Sequence, residues 1–129
     1  MAKTTISKLK SKLDKLFSLY IRQRHKDFDE FVSCFTCGVK KHWKQMHAGH
    51  FQSRKHLTTR WDDVNVQVQC PKCNLFNQGE QYKFGMYLDQ KYGEGTSDEL
   101  HQRAMTIVKL SRTDYEEAIK NIEKKLKEI

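Results

Sequence analysis

Hydrophobic residues recur at three- and four-residue steps near the start of the chain: Ile6, Leu9, Leu13, Leu16, Phe17 and Tyr20, with lysines between them. That period gathers them on one face of a helix, predicted over residues 4–26, with Thr4 or Thr5 able to cap it. VNVQVQC, residues 64–70, alternates instead and predicts a strand, with a short strand over 45–51 ahead of it. The segment between them, QSRKHLTTRWDD, is polar and basic and reads as a loop. CPKCN runs into a helix through Lys83–Tyr92, which Gly93 and Gly95 end. Thr96-x-x-Glu99 and Thr113-x-x-Glu116 resemble capping boxes. They would open one helix over 97–109 and another over DYEEAIKNIEKKLKEI, where Tyr115, Ile119, Ile122, Leu126 and Ile129 keep a helical step. Charges of both signs alternate along that last helix, so it reads as a solvated packing helix that could also form a homodimer contact.

A chain of 129 residues fits one domain. It would comprise a basic N-terminal helix (4–26), a central core (31–93) and C-terminal helices (96–129). Only 37% of the residues are hydrophobic and 31% are charged, which is thin for one large core and calls for a staple. No apolar run approaches roughly 18 residues, so no membrane span is expected. MAKTTISKLKSKLDKLF has neither an unbroken apolar stretch nor a small-residue cleavage site, so it reads as part of a mature, cytoplasmic protein. In a reducing compartment four cysteines favour a metal over disulfides.

The net charge of +8 is one-sided: residues 1–79 hold 15 Lys/Arg against 6 Asp/Glu, and residues 80–129 hold 9 against 10. Such a distribution suits a polyanion partner, most often nucleic acid, although solubility alone would also explain it. Lys3, Lys8 and Lys15 lie off the apolar face of the first helix, with Lys10 and Lys12 on its flanks, and could track a phosphate backbone.

Cys34-x-x-Cys37 and Cys70-x-x-Cys73 have the spacing of a tetrahedral four-cysteine zinc site. Soft thiolates suit zinc, and four of them leave no open position for water. The zinc is therefore structural, and any catalysis needs another centre. Between and beside the two pairs lie His42, His47, His50 and His56, then Asn65, Asn74 and Asn77.

The order CxxC, His50, Asn65, CxxC, Asn74 resembles the HNH (His-Me finger) nucleases that carry a four-cysteine zinc site. CFTCG, HAGHFQSR, NVQVQCPKCN with NQGEQY, and LDQKYG are together similar to the phage NinG/Rap recombination endonucleases, over residues 34–93. The resemblance implies an α+β fold: a small zinc-stapled, treble-clef-like ββα-metal core flanked by helices. It implies a nuclease acting on branched DNA, such as Holliday junctions or D-loops, in the cytoplasm of a phage host. His50 would be the general base. Many HNH nucleases have a metal-binding Asp just before that histidine, whereas this chain has Gly49. His47 is the nearest substitute, with Asn74 as the second ligand and Asn77 or Gln78 as alternatives.

These residue types suit phosphodiester hydrolysis. A histidine titrates near neutrality and can take a proton from water. A catalytic Mg2+ or Mn2+ would stabilise the phosphate, and a histidine ligand at position 47 would favour Mn2+. Asn65 would brace the hairpin loop, fix the His50 tautomer, or form only an Asx turn. Arg54, Lys55 and Arg60, together with Lys40 and Lys41, are candidate DNA contacts. Trp43, His56 and Trp61 could stack on unpaired bases, although Trp61 equally suits the core. A non-catalytic, zinc-stapled DNA-binding module would explain the cysteines and the charge, but not the His50, Asn65, Asn74 order. An adaptor for another protein would leave the charge unexplained.

Overall fold

A computed structural model describes residues 4–129; Lys3, expected off the apolar face of the first helix, lies outside them. Helix α1, Ile6–Gln23, starts where the Thr5 hydroxyl accepts the Lys8 amide at 3.2 Å. Its stripe of Leu9, Leu13, Phe17 and Ile21 is buried. Across it lies the last helix, α5, Arg112–Lys127, which buries Tyr115, Ile119 and Ile122. Together with Val66 these seven side chains form one cluster. The α5 face that could have served a dimer is thus used within the chain, and only Leu126, half-buried, and Ile129, exposed, are left of the predicted stripe.

Two antiparallel hairpins carry the middle of the chain. Strand β1, Phe31–Ser33, pairs with β2, Lys40–His42, and the first cysteine pair sits in their turn. Strand β3, His47–His50, pairs with β4, Val66–Gln69, in a register that sets His47 opposite Gln69 and His50 opposite Val66. The result is a small mixed α/β architecture with two two-stranded sheets. Two lesser clusters complete the interior. One gathers Val32, Met46, Cys34, Cys70 and Cys73; the other gathers Phe84, Leu88 and Leu100. Among the described residues no helix is long and apolar enough to cross a membrane.

Several local expectations change. The 52–63 segment is not all loop: Leu57–Arg60 forms a short helix, α2. One turn is too short to show a periodicity. Tertiary contacts make it, with the Thr58 hydroxyl donating to the Arg103 carbonyl at 2.7 Å and Arg103 paired with Asp62. The second cysteine pair does not run straight into a helix. Lys72–Phe76 makes one wide turn, Gln78, Gly79 and Glu80 take left-handed conformations, and only then does α3, Gln81–Tyr92, begin.

Helix α4, Thr96–Ala104, stops short of residue 109. Neither predicted capping box forms. Gly95 precedes α4, and the Thr96 hydroxyl donates back to the Gly93 carbonyl. At α5 the box is Ser111 with Asp114, not Thr113 with Glu116: the Ser111 hydroxyl accepts the Asp114 amide, and the Asp114 carboxylate accepts the Ser111 amide. Both pairs have capping spacing, and the earlier one adds helix to the face that packs on α1.

Ser111→Ala should lower stability by about 1 kcal/mol in urea unfolding, while Thr113→Ala should stay within about 0.5 kcal/mol. Equal losses in the two variants would contradict this cap.

Candidate functional site

The four cysteine sulfurs lie within 4.8 Å of one another. Cys37 Sγ and Cys70 Sγ are 3.7 Å apart. Zn–S bonds of about 2.3 Å in a tetrahedron separate sulfurs by about 3.8 Å, so the arrangement fits a structural metal such as zinc. Burial, with the neighbouring sulfurs adding to it, pushes the Cys73 thiol up to about 12. A divalent cation offsets that cost by stabilising the thiolates. Among the described residues this is the one group of three or more Cys, His, Asp or Glu side chains placed to hold a metal.

The second constellation is built on the β3–β4 hairpin. Its connection, residues 51–65, closes over His50, at the end of β3. His50 Nε2 lies 2.9 Å from the Arg60 carbonyl oxygen. A carbonyl can only accept, so Nε2 carries the proton and, in the neutral ring, Nδ1 keeps its lone pair. Burial holds the His50 pKa below its ordinary value. The Arg60 carbonyl and the Asp14 carboxylate oppose that shift, and the charges of Arg54 and Arg60 add to it. The ring is neutral at pH 7.

Asn65 is fully buried. Its Oδ1 accepts the Gln52 amide at 2.7 Å, and its Nδ2 donates to the Gln52 and Thr59 carbonyls, each at 3.0 Å. Among the three roles open to it, the geometry is that of a loop brace. The side chain ties both ends of the connection and does not hold the His50 ring; the Arg60 carbonyl, one residue past Thr59, does that.

Asp14 of α1 reaches the same place, and sequence reasoning missed it. Its carboxylate accepts from Arg54 Nη2 at 2.9 Å, from Arg60 Nε at 3.0 Å and from Trp61 Nε1 at 2.8 Å. Burial pushes its pKa up, but the bonds and charge of Arg60, the Trp61 N–H and the Arg54 charge outweigh burial and leave it lowered. The one available signal was that Asp14 is the only acid before residue 27 in a stretch rich in lysine.

A cleft of about 620 Å³ opens beside His50, lined by Ala48, Ser53, Arg54, Asn74, Gln78 and Gln81 among others. His47 does not line it. Its Nδ1 instead lies 3.1 Å from Asn74 Nδ2. Nδ2 can only donate, so the His47 Nδ1 lone pair faces Asn74, which also lines the cleft. The contact brings the two candidate metal ligands, His47 and Asn74, side by side. Gln78 lines the cleft and Asn77 does not.

Gly49 is closely packed: a Cβ there would fall 1.9 Å from Gln69 Oε1. A carboxylate at that position would have to displace Gln69. That side chain donates to Thr36, between the first two cysteines, at 3.0 Å, and to the Gly79 carbonyl, at the cleft, at 2.8 Å.

The candidate DNA contacts separate. The Arg54 side chain is 60% exposed against 14% for Arg60, so Arg54 is the one open to a phosphate. Lys40 and Lys41 lie on the first hairpin, where Lys40 pairs with Asp27. Lys55 and His56 line a different cleft, with Met105 and Ile107. Trp61 packs edge-on against Tyr115, and Trp43 is covered by His42 and Arg22, so neither ring is bare.

A family model described as "Bacteriophage Lambda NinG protein" matches residues 2–129. The curated protein ninG of Salmonella phage P22 is 24% identical over 110 residues, covering 80% of this chain. The chain spans about half the length of that relative, 52%. No solved structure matches the chain significantly.

Cys70→Ser should lose zinc and unfold, because binding the metal is folding free energy at such a site. Zinc content and far-UV circular dichroism measure both. A well-folded, zinc-free variant would show that the sulfur cluster is not a staple.

Proposed function

The chain belongs to the NinG family of bacteriophage proteins, and we propose that it is a metal-dependent endonuclease that hydrolyses phosphodiester bonds in branched DNA during phage recombination. In this reading the β3–β4 hairpin, the turn after the second cysteine pair and α3 form an HNH core, treble-clef-like, with the sulfur cluster as its staple. The observation that carries the proposal is the His50 ring. It is half-buried and neutral, with Nε2 tied to the Arg60 carbonyl and the Nδ1 lone pair free, at the wall of a cleft that also holds Arg54 and Asn74.

His50 Nδ1 takes a proton from a water as its oxygen attacks the phosphorus. The proton leaves the water, the new P–O bond forms, and the bond to the 3′-oxygen breaks. The Arg60 carbonyl holds the ring so that its lone pair stays directed, and it also stabilises the imidazolium that forms. Arg54 meets a non-bridging phosphate oxygen, and Asp14 fixes the loop that presents it. Asn74 Oδ1 and Gln78 are neutral oxygen donors, suited to a hydrated hard cation shared with the substrate's own oxygens. A Mg2+ or Mn2+ bound there would neutralise charge on the phosphate and on the departing oxygen.

One observation favours a non-catalytic DNA-binding module instead: no acidic side chain is among the residues lining the His50–Asn74 cleft.

Cleavage of a four-way junction and of linear duplex separates the readings. His50→Ala should cut roughly 10²- to 10⁴-fold more slowly with binding retained. Binding without cutting by the wild type in every divalent metal would favour the module. The lowered His50 pKa sets the sign of the pH profile. The base is lost only on protonation, so the acid limb of kcat/KM should lie below about 6.5, the ordinary histidine value. A limb above that value would assign the base elsewhere. With an oxygen donor as ligand, Mg2+ and Mn2+ should both support cutting, and Asn74→Ala should raise the metal concentration needed. An unchanged metal requirement would remove Asn74 from the site.

A further inference from the structure

The turn that follows the second cysteine pair presents large side chains to water. Leu75 is 61% exposed, Phe76 80% and Tyr82 83%. They are not the loose end of a mobile segment. The Asn77 amide donates to the Lys72 carbonyl at 2.9 Å, the Gly79 amide to the Cys73 carbonyl at 2.7 Å, and the Glu80 amide to the Asn77 carbonyl at 3.0 Å. Gln69 binds the same turn from inside. Tyr82 is in the first turn of α3, off the face that buries Phe84 and Leu88. Two aromatic rings are therefore held out in water by a rigid, sulfur-anchored turn. Residues of this turn, Asn74, Gln78, Gly79 and Gln81, form a wall of the His50 cleft.

The chemistry between the rings indicates what covers them. The core of a protein interface is depleted of charged residues, lysine among them. Here the rings alternate with exposed amides, Asn77, Gln78 and Gln81, and are flanked by the exposed Lys72 and Lys83. Flat rings take base faces, amides reach base edges, and lysines take phosphates. We propose that residues 75–82 form a base-stacking rim, in which Phe76 and Tyr82 take unstacked nucleobases beside the cleft and so favour DNA with unpaired bases over continuous duplex. The inference rests on the nuclease reading for the phosphate that lies in the cleft. The bases flanking a branch are already partly unstacked, so little unpairing energy opposes their capture. Intact duplex would have to supply that energy in full.

The test is a binding measurement on zinc-loaded protein with no added Mg2+ or Mn2+ and no chelator, which would strip the staple, so that no cutting is needed. The probe is a three-way junction with an unpaired 2-aminopurine at its branch point, compared with duplex of the same length. Wild type should bind the junction more tightly and change the 2-aminopurine fluorescence. Phe76→Ala/Tyr82→Ala should weaken junction binding roughly 5- to 100-fold, with duplex binding changed less than about twofold, and should abolish the fluorescence change. Phe76→Trp/Tyr82→Phe, which keeps both rings, should retain it. Zinc content and circular dichroism verify folding, which replacing two exposed rings should leave intact. Equal weakening on junction and duplex, or no change on either, would overturn the rim. So would a double-alanine variant that binds both DNAs as wild type does but loses self-association in sedimentation, because the rings would then belong to an interface between copies. A wild type that cuts nothing in any metal yet shows the ring-dependent signal would sink the nuclease reading and support the rim. Cutting by wild type with no ring-dependent signal would do the reverse.

Discussion

Two pairs of thiols, more than thirty residues apart in the chain, converge to within 4.8 Å, and most of the central architecture depends on that convergence. The apolar residues are too few for one continuous core and divide into three clusters. The middle cluster consists largely of sulfur: three of the four cysteines with Val32 and Met46. Such a cluster is too small to order two hairpins by burial alone, so a bound metal would supply what apolar area does not. From the sulfurs, Gln69 carries the constraint to the cleft, since it binds Thr36 inside the first knuckle and Gly79 at the cleft wall.

The electrostatics around His50 follow from the same compactness. A half-buried ring with two guanidinium groups nearby resists protonation, and the carbonyl that fixes its tautomer only partly restores its basicity. The unfolded chain, with an ordinary histidine, binds the proton more readily, so acid below about 6.5 favours unfolding at this site. Helix α1 contributes twice. Its apolar stripe builds the main cluster with α5, and Asp14, beside that stripe, gathers Arg54, Arg60 and Trp61. A helix read only as packing and basic surface therefore also shapes the surroundings of the candidate base.

Much of this was legible one residue type at a time. The CxxC spacing pointed to one shared site, and the sulfurs do meet. The alternation of VNVQVQC marked β4, although the polar Gln67 and Gln69 are buried there. The period of α1 put Leu9, Leu13 and Phe17 on the buried face while including the exposed Ile6 and missing Ile21. His50, Asn65 and Asn74 were singled out because their order between and beside the cysteine pairs resembles that of the HNH nucleases. What Asn65 holds was less legible, since its partners are backbone groups 6 and 13 residues away. Helix α2 and the Ser111–Asp114 cap escaped for a related reason. Short turns and competing caps have nearly equal local energies, and long-range packing selects among them.

The linear chain thus settled the periodic elements, the metal-ligand spacing and the one-sided charge, all of which follow from neighbours a few residues apart. Tertiary structure decided the pairings between distant groups. It set His47 against Asn74 and not into the cleft, turned Arg60 inward on Asp14 and left Arg54 outward. It filled the space above Gly49 with Gln69 and left Phe76 and Tyr82 bare on a braced turn. Each of these depends on distances across the fold, which no local pattern encodes.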